Sequence, residues 1–107
     1  MRVDMSTDAL HNVVMIKSFG DKETQKLFMG RRSGAVSARA ARRAVRKLEQ
    51  LDAAERVEDM AAPPGNRLHK LGGDREGQWA VRVDERYRIC FRFEDGQAYE
   101  VQATDYH

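Results

Sequence analysis

The chain has 107 residues, with 19 Lys and Arg against 17 Asp and Glu for a formal net charge of +2, and 41% hydrophobic residues. That length fits one domain with one modest core, and no apolar run is long enough to span a membrane. A single cysteine, Cys90, excludes an internal disulfide and a zinc site built on several cysteines; inside a strand-like pattern it reads as a packed, inert thiol.

The segment Met1 to Val14 has no apolar stretch of the signal-peptide kind. It reads as an N-terminal extension (1–14) ahead of a domain over 15–107, with the cytoplasm as the expected compartment. Val13-Val14-Met15-Ile16 is a short β-like run, followed by Lys17-Ser18-Phe19. Asp21 to Phe28 reads as a short helix with Asp21 as its N-cap, broken by Gly30 and Gly34. Ser37 to Leu51 is a strong helix: Ala40, Ala41, Ala44, Val45, Leu48 and Leu51 recur at helical spacing. Pro63-Pro64-Gly65 ends the helical region.

After that the periodicity switches to two. Arg67 to Leu71 is a candidate strand before a Gly72-Gly73-Asp74 turn. Trp79, Val81 and Val83 alternate with polar or small residues, as do Tyr87, Ile89, Phe91 and Phe93. Asp95-Gly96 between two such runs is a strong hairpin signal. Tyr99, Val101 and Ala103 complete the inward row. These elements predict an α+β fold, two helices packed on one face of a mainly antiparallel four- to five-stranded sheet.

Charge is unevenly spread. Lys26 to Lys47 holds eight basic residues and no acid, and Glu49 to Asp59 holds five acids and one Arg. Arg31, Arg32, Arg39, Arg42, Arg43, Arg46 and Lys47 therefore form either a solvated helix face or a patch for a polyanion. On the strands, alternation sends Arg82, Arg88 and Arg92 to the face away from the helices. Three arginines there fit either ordinary polar-out patterning or phosphate binding by guanidinium forks. The chain closes on Asp105-Tyr106-His107, which is either a frayed end or a titratable cluster suited to proton transfer near neutral pH.

Leu68-His69, Leu71, Gly73-Asp74-Arg75, Gly77, Trp79, Tyr87-Arg88-Ile89, Phe91 and Asp105-Tyr106-His107, in that order, resemble the HigB branch of the RelE/ParE toxins. Met15-Ile16-Lys17-Ser18-Phe19 is similar to the usual start of such toxins, and Pro63 to Leu68 resembles one subgroup. The resemblance runs from Met15 to His107. It implies the RelE-like fold and a toxin of a type II toxin–antitoxin pair. Its implied activity is that of an mRNA interferase, an endoribonuclease that enters the ribosome and cuts mRNA in the A site without metal or cofactor. The implied partners are the ribosome, mRNA and a HigA-like helix-turn-helix antitoxin, with no membrane.

Carried over position by position, His69, Asp105, Tyr106 and His107 match catalytic or near-catalytic positions and Arg88 a site arginine. Gly72 stands where family members often carry a catalytic lysine. If the segment is extended, Lys70 shares a face with position 72 and is the candidate substitute. Cleavage by the RNA's own 2′-hydroxyl needs a base, an acid and charge stabilisation at the phosphorane. His107 is the candidate acid or base. Asp105 is the second proton carrier or the group that tunes His107, Arg88 with Lys70 or Arg82 stabilises charge, and Tyr106 orients a base. His69 has either a direct or a packing role. Arg75, Arg82 and the helix arginines are the expected RNA and ribosome contacts. Two other readings remain open, a ParE-like toxin that cuts nothing and a non-catalytic nucleic-acid-binding module on the same fold.

Overall fold

In a computed structural model the described residues are 16–106. The expected extension 1–14, Val13 to Met15 of the first β-like run, and His107 lie outside them.

Helix α1 spans Lys22–Phe28. Asp21 caps it as expected, its carboxylate accepting the Thr24 N–H at 2.7 Å, and Gly30 at φ +77° carries the chain out of it. Helix α2 spans Ala38–Ala53, capped by Ser37 through the Ala40 N–H at 3.3 Å. It runs two residues past the expected Leu51, because no helix breaker stands between Leu51 and Ala53. Its buried stripe is Ala40, Ala44, Leu48 and Leu51. The small alanines in its first half let the backbone approach the sheet, and the leucines fill the core further along.

Two short 3₁₀ turns, Val57–Ala61 and Pro64–Asn66, follow. Asn66 is wholly buried and ties them together. Its amide nitrogen reaches the Met60 and Ala62 carbonyls, both at 3.0 Å, and Gln50 Oε1 at 3.2 Å. Lys47 Nζ donates to its Oδ1.

The sheet has four antiparallel strands in the order β1 (His69–Lys70), β2 (Trp79–Arg82), β3 (Tyr87–Glu94) and β4 (Gln97–Asp105). β1 is shorter than the expected Arg67 to Leu71. Arg67 sits in the left-handed region at φ +48°, and Leu71 turns away to close a loop on the Gln78 carbonyl. Ile16 and Phe19 bridge β4 in parallel at Ala98 and Val101, so the first segment lies along β4 as a fifth, irregular row. The Asp95-Gly96 hairpin has both residues at positive φ, 53° and 78°, as a two-residue turn of this hand requires.

Tyr99 corrects the expected inward row. Glu100 at φ +55° inserts an extra residue, and the register shifts between the Cys90–Gln102 and Arg92–Tyr99 pairs. Such a bulge flips the side chains beyond it. The inward row is therefore Ala98, Val101 and Ala103, with Tyr99 beside Arg92 on the other face. Inward, Val81, Ile89, Phe91 and Val101 meet Leu48 and Leu51 in one core.

Candidate active site

The sheet's second face is not wholly open. Cys90 and Ala80, paired neighbours on it, are fully buried. The loop from Leu71 to Gln78 reaches this face on either side of them. Arg75 donates to Gln78 Oε1 at 3.0 Å and to Gln102 Oε1 at 3.2 Å, while Gly77, at φ +91°, leaves room for the Arg92 guanidinium that a Cβ would strike at 2.5 Å. Gln102 in turn donates to Asp21 at 3.0 Å. Arg75 is thus engaged in holding a loop over the face. Arg92 is paired with Glu100 at 3.1 Å.

Beyond that loop the face carries Arg82, Arg88 and Thr104, directly opposite one another across β2, β3 and β4. Like charges on paired positions repel. Among the described residues neither Arg82 nor Arg88 has a hydrogen-bond or ion-pair partner, and Arg88 Nε is buried with none. Burying an unpaired donor costs about 1–3 kcal/mol. The Arg88 guanidinium carbon stands 5.3 Å from the centre of the Tyr106 ring.

Asp105 and Tyr106 are docked here. The Tyr106 N–H donates to the Arg86 carbonyl at 3.0 Å, the Tyr106 hydroxyl to the Asp84 carbonyl at 3.1 Å, and Arg86 Nε to Asp105 Oδ2 at 2.7 Å. Asp84 shapes the turn that receives it, its Oδ1 accepting the Arg86 and Tyr87 N–H groups, both at 2.8 Å. Burial opposes ionisation of Asp84, but the Tyr87 and Arg86 N–H groups and the charges of Arg43 and Arg82 hold its carboxyl below the ordinary value. Asp105 raises the pKa of Arg86, first through their hydrogen bond and then through its charge.

The structure divides the expected residues. Asp105 pairs with Tyr87 across the sheet, so its carboxylate lies on the helix side, held by Arg86, while Arg88 and Tyr106 share the other face. His69 lies on the Arg88 face, in the row of Ala80 and Cys90. Its Nδ1 is 2.7 Å from the Arg67 carbonyl, which can only accept, so Nδ1 is the donor of this pair. Lys70 points to the opposite face, with its ammonium 5.2 Å from the centre of the Trp79 ring, and is not gathered with His69 and Arg88.

The basic helix divides as well. Arg39 and Arg43 face the β2–β3 turn, Arg42 and Arg46 line an outer groove with Arg31, Leu27 and Val45, and Lys47 is taken by Asn66. Arg32 is exposed beyond α1. Arg86 and Asp84 were missed by pattern reading. Asp84 has a local signal, since an Asp accepting from the N–H groups two and three residues on makes a turn of its own. The partner of Arg86 stands 19 residues away and has none.

Among the described residues no three His, Cys, Asp or Glu side chains come together in a way that would hold a metal ion, and no helix is long and apolar enough to cross a membrane.

Residues 17–107 match the family model described as the RelE-like toxin of type II toxin–antitoxin system HigB. The chain is 37% identical over 93 residues to Endoribonuclease HigB of Proteus vulgaris, covering 87% of this chain and all of that one. It is 47% identical over 53 residues to Toxin HigB-1 of Vibrio cholerae, covering 50% of this chain and 56% of the relative.

Proposed function

Because this chain belongs to the HigB-like family, the RelE-like toxins of type II toxin–antitoxin systems, we propose that it arrests translation as an endoribonuclease that cuts mRNA in the ribosomal A site. As a toxin of such a system it has an antitoxin for a partner; a HigA-like helix-turn-helix protein is the form proposed, and the cytoplasm, where ribosomes translate, the place of action.

The observation that carries the reading is Arg88. A buried guanidinium nitrogen without an acceptor, beside the Tyr106 ring and on the register partner of Arg82 in the neighbouring strand, suits a ligand with several anionic oxygens. A phosphodiester in attack by its own 2′-hydroxyl is such a ligand. Charge grows on the phosphorane oxygens as the P–O bond to the 2′-oxygen forms and the bond to the 5′-oxygen breaks. Fixed donors aimed at that charge lower the barrier without a metal ion. One group takes the 2′ proton and another returns one to the leaving 5′-oxygen, giving a cyclic phosphate end. His107 is assigned one of these roles, and His69, which lies on the Arg88 face with Nδ1 turned to the Arg67 carbonyl, is suited to the other. Tyr106 offers its ring to an unpaired base or to Arg88. Asp105, gripped by Arg86, orients the terminal segment. Lys70 is given no part, since its ammonium sits over Trp79.

The test is primer extension on cellular mRNA after a pulse of expression. The parent is expected to produce new ends inside translated reading frames, with chelator present during cleavage on isolated ribosomes. His107→Ala is expected to lose about 10²–10⁴-fold in rate while keeping its melting temperature. A His107→Ala protein that still arrests growth and cleaves at the parent's rate sinks the assignment. Growth arrest without new mRNA ends points instead to a ParE-like toxin.

A further inference from the structure

A second arginine cluster stands beside the first. Between the first turns of α2 and the turn joining β2 to β3 lies a cleft of about 530 Å³. Arg39 and Arg43, four apart and so on one helix face, form one wall, and Arg82 and Arg86 come from the other. The walls are fixed to each other, because the Ser37 N–H at the start of α2 donates to the Tyr87 hydroxyl at 3.2 Å.

The acids in the cleft do not quench this charge by contact. Asp84 Oδ1 is taken by the two backbone N–H groups of its own turn, and Asp84 makes no ion pair with Arg43 or Arg82. Glu85 is the other acid of the lining. Arg86 is engaged by Asp105. Among the described residues Arg39, Arg43 and Arg82 have neither hydrogen-bond nor ion-pair partners. Asp84 bears on Arg43 and Arg82 through its charge alone, and with Arg39, Arg43, Arg82 and Arg86 set against Asp84 and Glu85 in the lining the concavity keeps a positive balance suited to an anion.

Its position says which anion. Arg82 is the register partner of Arg88, the group placed at the scissile phosphate, and at the end of β2 beside the β2–β3 turn it also lines the cleft, so it joins the arginine face to the α2 side around the end of the sheet. A strand of RNA held at Arg88 therefore has its neighbouring phosphate led past Arg82 toward Arg43 and Arg39. We propose that this cleft is a backbone subsite, binding the phosphodiester adjacent to the scissile one in the same RNA strand. The proposal rests on the nuclease reading and divides the basic helix, giving Arg39 and Arg43 to the substrate. An acidic segment of a protein partner would satisfy the charges alone, but would not account for the continuity with Arg88.

The experiment measures binding of an oligoribonucleotide with every 2′-hydroxyl methylated, which cannot be cut, by fluorescence anisotropy across a range of salt. The proteins are the parent, Arg39→Gln/Arg43→Gln, and the charge-matched control Lys22→Gln/Lys26→Gln on α1. Each single-strand phosphate contact contributes about 0.7 to the slope of log affinity against log salt. The Arg39/Arg43 variant is expected to lose about 0.7–1.4 of that slope and the control to keep the parent's. Both arginines are exposed, so the variant should melt with the parent. Equal losses in variant and control overturn the proposal in favour of a diffuse field. A variant that binds RNA as the parent does but no longer holds the antitoxin assigns the cleft to a protein and also overturns it. So does a parent that fails to bind the oligomer at low salt. The oligomer cannot react, so a parent that cuts no mRNA refutes the nuclease reading without deciding these slopes.

Discussion

At Arg88 stability and the proposed chemistry pull in opposite directions. Its Nε is buried without a hydrogen-bond partner and it is paired across the sheet with the like-charged Arg82. Arg88→Met keeps the bulk and removes both penalties, so the variant should melt no lower than the parent and is expected to melt a few degrees higher in a calorimetric scan. Cleavage on ribosomes should fall by about 10²–10³-fold, as when one donor to a developing oxyanion is removed. Loss of stability together with activity would make Arg88 a structural residue and undo the site. The choice of arginine at 82 and 88 was legible, because alternation alone puts both on the face away from the helices. That Arg88 lacks an acceptor was not, since nothing local says which neighbours a side chain meets across two strands.

Asp21 joins two elements. One carboxylate oxygen caps α1 through Thr24, and the other accepts from Gln102, which holds Arg75 and with it the loop over the second face. Burial works against the charged form, but the Thr24 N–H, the Thr24 hydroxyl and Gln102 outweigh it and hold the carboxyl below its ordinary 3.8. A carboxyl whose pKa is lowered by folding adds stability in full above its unfolded value and loses it as pH falls through the folded value. Asp21→Ala should thus cost about 1 kcal/mol at neutral pH, the usual worth of an N-cap, and the difference from the parent should shrink below about pH 4. Urea melts of both proteins at several pH values measure this. A difference that stays constant into the acid range would show that the carboxylate charge contributes nothing. The caps at Asp21 and Ser37 and the Asp95-Gly96 turn were readable because each acts within three residues of itself. The bulge at Glu100 was not, because an acid in the left-handed region leaves no mark on a strand pattern.

At the scale of the molecule, the basic helix separates two surfaces. Arg39 and Arg43 lie toward the β2–β3 turn and the arginine face, while Arg31, Arg42 and Arg46 border an outer groove with Leu27 and Val45. Phosphate contacts give affinity that falls steeply with salt and carries no base specificity, as docking on ribosomal RNA requires. Arg42→Gln/Arg46→Gln should lower co-sedimentation with ribosomes, and each lost phosphate contact should flatten its salt dependence by about 0.7–0.9 in slope. Melting should change by little, both residues being exposed. Unchanged co-sedimentation would make this surface a solvated face, or the seat of the antitoxin if the variant loses that partner instead.

The sequence by itself determined the kinds of element, their order, most of their boundaries, the α+β class and the family. All of these are written in short windows: a 3.6- or two-residue period, a cap, a turn dipeptide, an ordered set of motif residues. Only the tertiary structure decided which charges meet. It put Asp105 and Tyr106 on opposite faces, turned Lys70 away from His69, spent Lys47 on Asn66 and Arg75 on Gln102, and brought Arg82 between two arginine clusters. Those outcomes follow from strand register, a bulge and the path of one loop across the sheet. Register is a relation between distant segments, and a shift of one residue sends every later side chain to the other face.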